Sequence, residues 1–153
     1  MIQPFQISIR SIHLPKSQNR SNQGSHSRTR SDHATELAED YVEAIAELCE
    51  SLGSCRVVDL ARHFEVSHVT VNRTVGRLVR DGYVKTEPYR PVELTAKGKR
   101  LAQMSSQRHA VVLKFLIALG VSQSVAEIDS EGIEHHVSKE TLEAMQKFMD
   151  KNI

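Results

Sequence analysis

The stretch RVVDLARHFEVSHVTVNRTVGRLVRD, residues 56–81, decides the fold. Val58, Leu60, Ala61 and Phe64 supply the apolar positions of a first short helix, and Glu65-Val66-Ser67 forms a tight turn. Ser67 is placed to cap a second helix, in which Val71, Val75, Leu78 and Val79 are expected to face inward. His68, Val69, Thr70, Asn72, Arg73 and Arg77 are left on the exposed side of that helix or at its border. Two short helices around a three-residue turn, the second carrying polar and basic groups in its first turns, make a helix-turn-helix whose recognition helix enters a major groove. Arg73 has the reach for a guanine edge or a phosphate, and Thr70 for a thymine methyl or a phosphate. A small helical hairpin with no DNA partner has the same local pattern, so the surroundings have to discriminate.

On the C-terminal side, Asp81-Gly82 ends the recognition helix, with Gly82 suited to the left-handed position after a helix. Tyr83–Glu87 and Val92–Thr95 read as two strands around Pro88-Tyr89-Arg90-Pro91. That hairpin is the wing of a winged helix, with Arg90 at its tip to meet a phosphate or the minor groove. Thr95 then caps a long helix to about Leu119, Leu119-Gly120-Val121 breaks it, Ser122 caps a further helix and Ser138 starts the last. On the N-terminal side, Leu37, Tyr41, Ile45, Leu48 and Leu52 recur at helical spacing, with Thr35 as the expected N-cap and Gly53 as the stop. Residues 1–34, with seven serines and few large apolar residues after Pro15, read as a mobile Ser/Arg-rich tail.

Charge is segregated along the 153 residues, although the net charge is only +1. The segments 1–34, 35–55, 56–100 and 101–153 carry +4, −6, +5 and −2. A basic middle between acidic helices directs a polyanionic partner to the helix-turn-helix and wing. The composition, 39% apolar and 25% charged, is that of a soluble globular protein, and no apolar run is long enough for a membrane span. Cys49 and Cys55 match no CxxC spacing, and without an export signal they read as reduced thiols of a cytoplasmic chain.

The acidic segments hold a second pattern. In DSEGIEHH, residues 129–136, helical spacing brings Glu131, Glu134 and His135 to one surface, and Asp40 and Glu43 are likewise three apart on the first helix. Carboxylates with one imidazole suit a hard or borderline divalent cation. A solvated acidic face ending in histidines explains the same residues. His109, alone beside Arg108 in the long helix, reads as a packed or capping residue. His136 points about 100° away from His135 around the helix and reads as a supporting residue.

With AEDYVEAI, EVSHVTVNRTVGRL, the Arg108-His109 pair and DSEGIEHH all in place, the sequence resembles the diphtheria-toxin-repressor family, in its manganese-responsive branch. The resemblance runs from about Thr35 to Phe148. It implies a mainly α fold with a small β-hairpin wing: a winged helix-turn-helix domain over 35–100, then an all-helical dimerisation and metal-binding domain over 101–153. It further implies metal ligands at Asp40, Glu43, His109, Glu131, Glu134 and His135, while the helix-turn-helix and wing themselves place Ser67, His68, Val69, Thr70, Asn72, Arg73, Arg77 and Arg90 toward DNA. The iron-responsive branch places a methionine and a cysteine where this chain has Asp40 and Glu134, and the harder oxygens favour Mn2+.

The expectation is a non-enzymatic, Mn2+-activated repressor of manganese homeostasis genes, a homodimer on palindromic operator DNA with no small organic ligand. Four carboxylates call for two divalent ions per subunit. An Fe2+- or Zn2+-responsive repressor of the same fold is the nearest alternative. A di-metal helical enzyme is a remote one, since the chain has no HExxH, P-loop or nucleophile elbow and lacks paired Glu-x-x-His motifs.

Overall fold

Between Gly24 and Gly53 the chain has neither glycine nor proline, and a single helix, α1, runs from Ser25 to Leu52. The computed structural model describes residues 25–152, with side chains from 33 to 151. The helix therefore does not start at the expected Thr35 cap, and residues 25–34 of the expected tail are helical; residues 1–24 lie outside the described residues. Once a helix is nucleated each added residue gains a hydrogen bond, so polar residues without a breaker extend it. At the far end Gly53 has φ +78°, the left-handed stop expected there.

Five further helices and a hairpin complete the order: α2 (Val57–His63), α3 (His68–Arg80), β1 (Val84–Lys85), β2 (Glu93–Leu94), α4 (Ala96–Ala118), α5 (Gln123–Glu134) and α6 (Lys139–Asn152). Ser67 caps α3 by accepting from the Thr70 amide. Val71, Thr74, Val75 and Leu78 form the buried face of α3, whereas Val79 is 40% exposed, contrary to its expected inward position. The stripe closes at spacings of three, one and three, which leaves Val79 beyond its edge. Thr74 can be buried because its hydroxyl donates to the Thr70 carbonyl at 3.2 Å. Val58, expected to be apolar and inward, is likewise exposed, and Leu60 and Ala61 carry the burial of α2.

These faces meet Tyr41 and Ile45 of α1 in one core, where the Tyr41 ring stacks on Phe64 with centroids 4.4 Å apart. Burying each Val or Leu here contributes roughly 1.5–3 kcal/mol, so α1 is fastened to the helix-turn-helix and moves with it. Cys55 joins the same core, and its carbonyl accepts from the Val92 amide at 2.7 Å. The hairpin is shorter than expected, pairing only Val84 with Leu94 and Lys85 with Glu93, because Pro88 and Pro91 and the left-handed Tyr89 (φ 65°) occupy its tip.

Thr95 ties wing to helix, accepting from the Gly98 amide at 3.1 Å and donating to the Gly82 carbonyl at 2.7 Å. Gly98 is required there, since a Cβ would run into the Tyr83 carbonyl. From this anchor α4 leads away and packs against α1, α5 and α6. Met104, Ile117, Leu119, Val125, Ile128 and Phe148 remain exposed on α4 to α6, an apolar surface of the kind a subunit interface covers. No helix among the described residues is long and apolar enough to cross a membrane.

Candidate metal centre and nucleic-acid surface

Three helices converge beside Glu134, the last residue of α5, whose side chain is 1% exposed. His109 comes from α4, Glu131 and Glu134 from α5, and Asp40 and Glu43 from α1. His109 Nδ1 lies 2.9 Å from Glu134 Oε2 and 3.4 Å from Glu131 Oε1. These three donor atoms gather within 4.8 Å of one another. Although His109 Nδ1 is so near, Glu134 Oε2 is buried without a hydrogen-bond partner. Two donor atoms at that separation that do not bond each other fit a shared cation: adjacent ligands each ~2.1 Å from one ion are ~3 Å apart.

The other oxygen of Glu134 faces a second imidazole. His135 Nε2 is 3.6 Å from Glu134 Oε1 and 3.3 Å from Asp40 Oδ1. Glu131, Glu134 and His135 thus do not meet at one point as their spacing suggested. Glu131 and His109 stand on one side of Glu134, Asp40 and His135 on the other. Glu43 belongs to the His109 side, where His109 and Glu131 act on it electrostatically, and its buried Oε1 has no hydrogen-bond partner.

Two residues that entered the sequence reading only as parts of motifs, with no role assigned to them, hold this arrangement. Glu39, beside Asp40 and 6% exposed in its side chain, accepts from His135 Nδ1 at 2.9 Å and pairs with Arg108 Nη2 at 2.6 Å. A carboxylate only accepts, so His135 donates from Nδ1 to Glu39, and in the neutral ring Nε2 has its lone pair free on the side of Asp40 and Glu134. Arg108 neutralises Glu39, which leaves the other four carboxylates as the uncompensated charge.

The electrostatics bear on the fit of a cation. Burial raises Asp40, with Glu131, Glu39 and Glu36 adding to it against the opposing His135. Burial likewise raises Glu43, opposed by Ser105 and His109. Glu134 is pushed up to about 7, first by burial and then by Glu43 and Glu131, against His109 and His135. His135 is raised because Glu39, Asp40 and Glu134 together outweigh its burial, which alone would lower it. Carboxylates held together against their own repulsion, two with orphaned buried oxygens, fit divalent cations. An open cleft of about 640 Å³, lined by Glu36, Asp40, Glu43, Glu131, His135 and His136 among others, leads to them.

On the helix-turn-helix unit, Ser67, His68, Val69, Thr70, Asn72, Arg73, Arg77 and Arg90 are all exposed. A cleft of about 650 Å³ runs between the start of α3 and the wing, lined by Arg56, His68, Asn72, Tyr89 and Arg90. Arg56 was not foreseen because it precedes the helix pair, but it belongs to this basic face.

Comparison with known proteins agrees with both halves. Residues 33–92 match the family described as "Iron dependent repressor, N-terminal DNA binding domain", and residues 95–152 match "Iron dependent repressor, metal binding and dimerisation domain". The chain is 46% identical over 123 residues to the transcriptional regulator MntR of Escherichia coli O6:H1, spanning 80% of this chain and 79% of that protein. Against the transcriptional regulator MntR of Salmonella typhimurium the identity is 45%, over 80% and 78% of the two chains. Among solved structures, the manganese regulator SloR superposes with TM-score 0.65 at 27% identity, over 74% of this chain and 53% of that one. A manganese-dependent transcriptional repressor in complex with manganese gives 0.66 at 27%, over 74% and 52%. The chain thus spans about half the length of these solved proteins.

Proposed function

The chain belongs to the iron dependent repressor family, and from that premise we propose that it is a Mn2+-activated transcriptional repressor controlling manganese homeostasis genes. Metal-responsive regulation of transcription through DNA, without catalysis, follows from the membership itself; the metal, its number and the means of coupling are our reading. The observation that carries this reading is Glu134, buried between two imidazoles with one oxygen toward each.

Divalent cations, when bound, supply the positive charge that lets the four carboxylates ionise side by side. On the His109 side the ligands are Glu43, His109, Glu131 and one oxygen of Glu134. On the other side they are Asp40, His135 and the second oxygen of Glu134. Two ions per subunit would offset the charge of −4, and Glu134, with one oxygen toward each imidazole, would serve both sets of ligands. Oxygen donors in this majority suit Mn2+; an Fe2+- or Zn2+-responsive repressor differs only in which cation the same residues select.

Asp40 and Glu43 hang from α1, which is packed into the helix-turn-helix core through Tyr41 and Ile45, whereas the remaining ligands hang from α4 and α5. Joint ligation therefore fixes the DNA-reading unit, residues 35–100, against the dimerisation helices, residues 101–153. Unligated, the same carboxylates repel, and the packing of α1 on α4 together with the Glu39–Arg108–His135 contacts is left to hold α1 to those helices. In a two-fold dimer this docking sets the separation of the two α3 helices, which have to enter grooves about 34 Å apart on a palindromic operator. Ser67, Val69, Thr70, Asn72 and Arg73 then face base edges and phosphates, Arg77 and His68 flank them, and Arg90 follows the backbone from the wing.

Mn2+ titration of the full chain, read by electron paramagnetic resonance, tests the centre. Two spin-coupled ions per subunit are expected, and a single ion at saturation would refute the division of ligands on either side of Glu134.

A further inference from the structure

Outside the six ligands of the main centre, Glu36 stands between two further imidazoles. Its Oε2 is 3.3 Å from His33 Nδ1, and its Oε1 is 3.5 Å from His136 Nε2. Oε1 is buried and has no hydrogen-bond partner, so the contact with His136 is one of proximity and not of a formed bond. His33 and Glu36 share a face of α1 because they are three residues apart, while His136 comes from the turn after α5. Glu36 and His136 line the mouth of the cleft that leads to the main centre.

We propose that His33, Glu36 and His136 form an auxiliary divalent-cation site at this mouth, selective for imidazole-loving ions of the Zn2+, Co2+ and Ni2+ class. The main centre offers four carboxylates and two imidazoles; this trio offers two imidazoles and one carboxylate, and the shift toward nitrogen moves preference away from Mn2+. Three protein ligands leave further positions for solvent. Both imidazoles are about 70% exposed (70% and 68%), so their rings are free to turn onto an ion that Glu36 anchors. Glu36 itself is only 23% exposed and is held in place by α1.

The site joins the N-terminal part of α1, where the composition had placed the end of a tail at residue 34, to the turn after α5. An ion here adds a second tether between the DNA-reading unit and the dimerisation helices, close to the path by which Mn2+ reaches the main ligands. The proposal stands on residues that the main centre does not use, and holds whichever ion that centre selects.

Equilibrium dialysis of the full chain against Zn2+ and, separately, against Mn2+, with metal counted by elemental analysis, tests it in the unsubstituted protein, H33A/H136A and E36Q. The unsubstituted chain should retain one Zn2+ per subunit more than either variant, while all three bind the same amount of Mn2+. Equal Zn2+ retention by all three overturns the auxiliary site. A Zn2+ difference without Mn2+ binding by any of them supports the auxiliary site and refutes the manganese centre instead. Because both histidines are exposed, H33A/H136A should keep the thermal midpoint of the unsubstituted metal-free chain; a Zn2+ difference seen only in a variant that has unfolded counts against the site.

Discussion

Replacing Glu134 by Gln isolates the charge at the heart of the centre while keeping its shape. In the metal-free chain the Glu134 carboxyl is raised from 4.5 to about 7, so the folded protein holds its proton more tightly than the unfolded chain does. A raised carboxyl favours the fold fully below its unfolded value, and that advantage is lost as pH rises from about 4.5 to about 7. At about 1.4 kcal/mol per unit, ionising Glu134 at pH 8 costs the metal-free fold roughly 3 kcal/mol, with little solvent screening because the residue is 2% exposed. Gln carries no such charge. Urea unfolding with chelator at pH 8 should therefore find E134Q more stable by up to about 3 kcal/mol, a midpoint shift of ~1–2 M. Near pH 4.5 the two proteins should unfold together. Excess Mn2+ should then invert the order at pH 8, stabilising only the unsubstituted chain. If E134Q is the less stable protein at pH 8 without metal, Glu134 is not a strained buried carboxyl and the electrostatic account of the centre is wrong.

Glu39→Ala should cost about 3 kcal/mol of stability by leaving Arg108 without its partner, and should weaken Mn2+ binding ~10–100-fold by releasing the His135 ring. Denaturation and calorimetric titration separate these two losses, and unchanged Mn2+ affinity would deny Glu39 its positioning role. Arg73→Ala should weaken operator binding by about 1–3 kcal/mol and leave Mn2+ affinity untouched, which anisotropy and calorimetry check in parallel. Burial pushes the Cys55 thiol up to about 12 and also raises Cys49, so a thiol-disulfide reagent at pH 8 should leave Cys55 unmodified until the chain unfolds.

The parts of the fold that sequence conveyed are those set by local rules. Ser67 and Thr95 cap their helices through amides three residues on, Gly82 takes the left-handed position (φ +78°), and the α3 stripe follows from spacing alone. Thr74 and Val79 exchanged roles because a threonine reads as polar until its hydroxyl is seen bonded to the Thr70 carbonyl. Thr35 failed as a cap because composition suggested a tail, whereas nothing from Ser25 onward interrupts a helix.

In the candidate site, the carboxylate and imidazole residues and their helical spacing were legible, but their partition about Glu134 was not. Spacing on one helix gives a shared face, while the position of His109 against Glu134 depends on how α4 meets α5. Glu39 escaped notice for a related reason. Within a run of acids it looks solvated, and its partners Arg108 and His135 lie far along the chain.

The most direct test of the central claim is fluorescence anisotropy of the full chain on its own upstream intergenic DNA at fixed salt, with chelator and then with Mn2+, beside the His109→Ala variant. Strong binding that appears only with Mn2+, and that is absent in a variant still folded and dimeric, is the predicted result. Equal binding with chelator and with Mn2+ would contradict it, because the ligands joining α1 to α4 and α5 would then not govern the recognition helices.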